Sequence, residues 1–173
     1  MESEIIQEEK KYPYAEAYAI AVAVLEELRP YCIRAEIAGS IRRKKQLVGD
    51  IEIVAIPKPY RTGIFEDGIA SVVNKWEKVR GELPCKYTQR ILPGGMALDL
   101  FLAEEGNWGN ILAIRTGSAD FSHKVLASTW ASQGYKSEDG YLFKDGKRYE
   151  LKEEKDLFDL LGLRYVEPEK RNL

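Results

Sequence analysis

The sequence predicts an α/β fold of the α+β kind: a mixed β-sheet unit of about a hundred residues, followed by a small helical lobe that contains a hairpin. Three observations carry this. DIEIVAI (50–56) and MALDLFLA (96–103) alternate with the period of two expected of strands. Tyr14, Ala17, Tyr18, Ala21, Val24, Leu25 and Leu28 recur at helical spacing until Pro30 ends the pattern. After Glu104-Glu105-Gly106 the chain changes from strand-rich to helix-rich, which puts the boundary between residues 1–103 and 104–173.

The first helix leads into a strand, Ile33 to Ile37, which runs straight into Gly39-Ser40. A short basic helix or loop, IRRKKQLVG, returns to the strand from Asp50 to Ile56, closed by Pro57 and Pro59. Phe65 to Val79 reads as a second helix. Lys86 to Leu92 and Met96 to Ala103 read as a hairpin joined by Pro93-Gly94-Gly95. In the second part, Asn107 to Arg115 and Ala119 to Gln133 read as helices, the latter capped by Ser118 and stopped by Gly134. A hairpin with Asp145-Gly146 at its turn and a last helix, Glu153 to Leu161, complete the chain.

Composition narrows the function classes. With 45% hydrophobic and 31% charged residues, the chain has the make-up of a soluble globular protein. No apolar run is long enough to cross a bilayer, and the acidic start, MESEIIQEEK, is unlike a signal or transit peptide. A cytoplasmic protein with no membrane partner is expected, with a nucleoid or virus-associated setting as the alternative. Cys32 and Cys85 have no metal-ligand spacing and are expected to be reduced thiols, while the single histidine, His123, excludes a multi-histidine metal site. The net charge of −2 argues against nucleic-acid binding by bulk electrostatics alone. Residues 31–103, however, hold twelve bases against eight acids, so a polyanion would be drawn to the middle of the chain.

That basic middle also holds the acids that point to chemistry. Asp50 and Glu52 are separated by one residue on an alternating strand and so share a face. Asp99 sits inside an apolar strand, where a carboxylate is costly unless it is paired or metal-bound. Three converging carboxylates repel one another unless a cation lies between them. The sequence therefore points to a pair of Mg²⁺ ions, with Mn²⁺ as the alternative, and to two-metal phosphoryl transfer. In the simplest assignment Asp50 and Glu52 bridge both ions, and Asp99 holds the one that activates the attacking hydroxyl. Gly39 would let the backbone approach a triphosphate, Ser40 would donate a hydroxyl bond, and Arg42 and Arg43 would offset phosphate charge.

From about Tyr12 to its C-terminus the chain resembles the family X DNA polymerases, the group that includes DNA polymerase beta, within the nucleotidyltransferase superfamily. GSIRR, GDIEIV, LDLF, the IRTGSADF segment and EKDLFDLLGLRYVEPEKR carry the resemblance, in that order. It implies a nucleotidyltransferase palm, residues 1–103, and a C-terminal subdomain that closes over the nucleotide. The positions matching Ser40, Arg43 and Gly49 contact the triphosphate in that family, and Arg115, Thr116 and Gly117 match the stretch beside the sugar. Asp120, Ser122 and His123 would face the base of the nascent pair.

Three departures from the family pattern stand out. No basic helix-hairpin-helix domain is present, so lyase activity is not expected. Ile114-Arg115 stands where many members have Tyr-Phe, which removes an aromatic sugar gate. Glu52 stands where many have Asp.

The reading is a gap-filling repair polymerase that extends a primer 3′-hydroxyl on a primer-template or gapped duplex with (d)NTPs, with a protein partner supplying extra grip on DNA. Its competitors are a nucleotidyltransferase acting on RNA, a protein or a small molecule, and a non-catalytic nucleic-acid-binding subunit.

Overall fold

The computed structural model describes residues 9–173. The N-terminal part, the expected palm, centres on a five-stranded sheet of β2 (Cys32–Ile37), β4 (Ile51–Pro57), β7 (Ala97–Leu102), β6 (Tyr87–Ile91) and β5 (Glu77–Arg80), in that spatial order. The β4–β7 pair is parallel and the other pairs are antiparallel, which makes the sheet mixed. A two-residue strand, β1 (Tyr12–Pro13), pairs with β3 (Leu47–Val48) beside it.

Strand alternation sends the two faces of this sheet to different cores. Ile51, Ile53 and Ala55 of β4, with Leu98 and Leu100 of β7, pack with Ala17, Ala21, Leu25 and Leu28 of α1 (Tyr14–Leu28) and with α3 (Gly68–Val73). Val54, Ile56, Phe101 and Ala103 pack on the opposite face against Trp108 and Leu112 of α4 (Trp108–Thr116). By the same parity Glu52 and Asp99 lie on the α4 face, which the C-terminal lobe approaches.

A third apolar cluster forms the core of that lobe, with Ala113, Phe121, Leu126, Leu142, Leu157 and Phe158 as members. Helix α4 therefore belongs to two cores, one side on the sheet and one in the lobe. The lobe continues through α5 (Ala119–Phe121), a π-helical stretch (Ser122–Ala127) and α6 (Ser128–Ser132). A three-stranded sheet follows, β8 (Lys136–Glu138), β9 (Tyr141–Lys144) and β10 (Lys147–Tyr149), and then α7 (Glu154–Leu160), which opens with a capping box between Glu153 and Asp156.

Three details depart from the sequence reading. The expected helix from Phe65 to Val79 is instead a 3₁₀ turn (Gly63–Phe65), the six-residue α3 and strand β5. Pairing of Glu77 with Ile91 and Lys78 with Arg90 completes the sheet edge and outweighs the weak helical periodicity there. Phe65, expected to open that helix, is exposed. The expected helix from Ala119 to Gln133 contains the π stretch, and the hairpin has gained β8 through a second Asp-Gly turn at Asp139-Gly140, both at positive φ. Cys32 and Cys85 are free thiols. Among the described residues no helix is long and apolar enough to cross a membrane.

Candidate active site

A cleft of about 750 Å³ opens between palm and lobe. The palm lines it with Ser40, Arg43, Gly49, Asp50 and Glu52, and the lobe with Arg115, Gly117 and Ser122. Lys11 and Lys45, which the sequence reading did not single out, also reach it.

Its floor follows from β2 and β4. The Ala38 amide donates to the Glu52 carbonyl at 2.8 Å, which brings the turn ahead of α2 (Gly39–Arg42) alongside β4. Gly39 then takes φ +62° directly beneath the Glu52 side chain, where an added Cβ would meet Glu52 Oε2 at 1.8 Å. Glycine is required here both for its dihedral and for the space. Gly39→Ala is expected to displace the Glu52 carboxylate and lower stability by roughly 1–3 kcal/mol, read as a drop in thermal midpoint. An alanine variant as stable as the parent would contradict this packing.

The parallel register places Glu52 directly beside Asp99. Burial and the neighbouring Asp99 carboxylate push the Asp50 carboxyl up to about 6, against the opposing pull of Lys11. Burial and the charges of Asp50 and Asp99 push Glu52 up to about 7, although Arg115 and Arg43 lower it. Asp99 is buried, and its Oδ1 accepts hydrogen bonds from the Tyr87 hydroxyl at 2.5 Å and from Gln89 Nε2 at 3.1 Å. Burial and the bond to Asp99 raise the Tyr87 phenol to about 12, so it donates throughout the neutral range. Its ring stacks on Phe101 at 5.0 Å, and the Arg115 guanidinium lies over Phe101 at 4.2 Å.

The three carboxylates are neighbours, yet among the described residues no group of three or more His, Cys, Asp and Glu is drawn into a ready-made metal cluster. The donor set consists of hard oxygens whose mutual repulsion raises two of their pKa values, and it fits a hard divalent cation.

A second polar network joins palm to lobe. Arg42 donates from Nη1 and Nη2 to the buried Glu154 carboxylate at 2.9 and 2.6 Å, and from Nη1 to Thr116 Oγ1 at 2.8 Å. Arg171, fully buried, also donates to Glu154. Arg43 donates to the Thr116 carbonyl at 2.9 Å and to Asn172 Oδ1 at 2.8 Å.

Residues 111–172 match the family model of the DNA polymerase beta thumb. The fold is similar to Leishmania infantum polymerase beta, described as a ternary P/T complex, with a TM-score of 0.71 at 21% identity over 95% of this chain and 77% of that one. No curated protein matches the sequence.

The chain has a polymerase beta-like fold, and its C-terminal part matches the polymerase beta thumb.

The lobe is thus similar to a polymerase beta thumb, and the residues expected at the nucleotide fall into different places in it. Thr116 is fully buried and spent on Arg42 and Arg43. Arg42, expected to offset phosphate charge, is turned from the cleft onto Glu154, because successive residues of a helix diverge and only Arg43 is left facing inward. Asp120 and His123 are exposed and do not line the cleft; Asp120 pairs with Lys124 at 3.8 Å. Ser122 lines the cleft while its hydroxyl donates to the Ile114 carbonyl at 2.7 Å. Ser118 caps α5 by accepting from the Phe121 amide at 3.1 Å. Sequence reasoning missed Tyr87, Gln89, Glu154 and Arg171, each of which acts on a partner ten or more residues away in the chain.

Proposed function

We propose that this chain is a nucleotidyltransferase that joins a (d)NTP to the 3′-hydroxyl of a DNA primer, filling gaps in duplex DNA. The observation that carries the reading is the register that sets Glu52 beside Asp99, with Asp50 and Glu52 lining a cleft shared by the N-terminal part and the lobe. The palm comprises residues 1–103 and the closing subdomain 104–173, a division that agrees with a separate apolar core in the lobe. The likeness to a polymerase beta described as a ternary P/T complex supports DNA as partner.

Ser40 and the Gly49 backbone receive the triphosphate, and Arg43 and Lys11, which both line the cleft, offset its charge. Asp99, held by Tyr87 and Gln89, orients the incoming hydroxyl. Asp50, Glu52 and Asp99 hold Mg²⁺, which when bound supplies Lewis-acid activation and neutralises charge on the phosphates. Arg115, resting on Phe101 at the thumb side of the cleft, takes the place of an aromatic gate at the sugar.

The test is extension of a primer on a single-nucleotide-gapped duplex with Mg²⁺, each of the four dNTPs and four NTPs being offered separately. Incorporation of the template-complementary nucleotide alone, lost in Asp99→Asn, is the expected result. Untemplated addition would instead identify a terminal transferase, and no incorporation on any nucleic acid would move the acceptor to a protein or small molecule.

A further inference from the structure

Asp99 has two donors that neither a metal ligand set nor a nucleotide pocket requires, and both come from β6. The antiparallel register puts Gln89 directly opposite Asp99 and Tyr87 opposite Phe101, so both side chains share the face of the carboxylate. Their bonds, 2.5 Å from the phenol and 3.1 Å from the amide, end on the same oxygen, Oδ1. The stack on Phe101 fixes the Tyr87 ring, so the hydroxyl is aimed before any ligand arrives.

We infer that Tyr87 and Gln89 are positioning residues for Asp99, tethering Oδ1 so that the carboxylate has one orientation and Oδ2 is kept for the cation and hydroxyl it serves. The inference rests on the proposed nucleotidyl-transfer reading. It assigns to this strand the work that outer hydrogen-bond partners do around carboxylates that bind metals, where their loss costs about 10–100-fold in affinity or activity. The tether is all-or-none in chemistry: phenylalanine at 87 keeps the ring, the stack and the volume, and removes only the donor.

The experiment titrates Mn²⁺ into the full chain, following bound ion by electron paramagnetic resonance, for the parent, Tyr87→Phe, Gln89→Leu and Asp99→Asn, with steady-state gap filling measured alongside. Tyr87→Phe is expected to weaken Mn²⁺ binding about tenfold and lower kcat to a similar degree, with KM for the nucleotide and the thermal midpoint unchanged. Gln89→Leu, whose bond is longer, is expected to show a smaller loss of the same kind, and it carries the test if Tyr87→Phe does not fold. Parent-like Mn²⁺ binding and kcat in both β6 variants, with binding lost in Asp99→Asn, would overturn the inference and leave the proposed function standing. Parent-like Mn²⁺ binding in Asp99→Asn would instead sink the metal assignment, and the role of Tyr87 with it.

Discussion

Asp99→Asn is expected to abolish nucleotidyl transfer, by on the order of a thousandfold or more, and at the same time to stabilise the metal-free protein at neutral pH. The first effect follows from removing a charge that, in the proposed reaction, holds cation and hydroxyl at the reacting centre; a thousandfold corresponds to about 4 kcal/mol of transition-state stabilisation.

The second effect follows from the repulsion already present among the acids. Folding raises the carboxyls of Asp50 and Glu52 from 3.8 and 4.5 to about 6 and about 7, with burial and the neighbouring carboxylates as causes. Groups raised in this way bind more protons in the folded than in the unfolded state. Their contribution to stability is complete below about pH 4 and is lost as pH rises through the folded-state values. At about 1.4 kcal/mol per tenfold change in proton affinity, and discounting Asp50 for its solvent exposure, the loss between pH 4 and pH 7.5 is roughly 2–4 kcal/mol.

Asparagine keeps the shape of Asp99 and can accept from Tyr87, so it relieves the charge without opening a cavity. Thermal melts at pH 5 and pH 7.5, with and without Mg²⁺, check this. The variant should gain on the parent at pH 7.5 without metal, the gain should shrink at pH 5, and Mg²⁺ should stabilise the parent far more than the variant. Equal midpoints for the two proteins at pH 7.5 would mean that the acids do not repel, and the case for a cation among them would fall.

That the acids come together was legible from two sequence signals. An Asp-x-Glu within an alternating segment fixes a shared face, and the side-chain parity of strands carries this to the correct side of the sheet. An acid within MALDLFLA is conspicuous because its neighbours are buried. The bonds between Asp99 and β6 were not legible, because Tyr87 and Gln89 look like ordinary residues of an alternating strand until register is known. Arg42 and Arg43 are adjacent and identical in chemistry; only the phase of α2, at about 3.6 residues per turn, decides that Arg43 faces the cleft and Arg42 the thumb. Asp139-Gly140 carried the same turn signal as Asp145-Gly146 but lacked an apolar run before it, since β8 is exposed throughout. Glu154 lies in KEEKD, where a solvated face is the natural reading, and its guanidinium partner in the palm is 112 residues away.

That residue carries the other large effect. Glu154→Ala is expected to lower stability by about 3–5 kcal/mol, because it leaves Arg42 and the fully buried Arg171 facing each other without a counter-charge. In a domain of this size the thermal midpoint should drop by on the order of 10 °C. Although burial works to raise the Glu154 carboxyl, the bonds and charges of Arg42 and Arg171 hold it below the usual carboxylate range. Its stabilising contribution is therefore present above about pH 4.5 and lost only as pH falls through the lower folded-state value.

The same deletion reaches the active site through Arg42, which ties α2 and its Gly39-Ser40 turn to Thr116 of the thumb. Replacing Arg42, Glu154 and Arg171 together by Met, Leu and Leu separates the two consequences. A packed apolar trio is expected to recover most of the stability, as buried ion networks often allow. Nucleotide affinity is expected to stay weakened, since no apolar side chain at 42 can hold Thr116. A triple variant with parental stability and parental KM would show that the network only packs the interface and that the turn keeps its position without it.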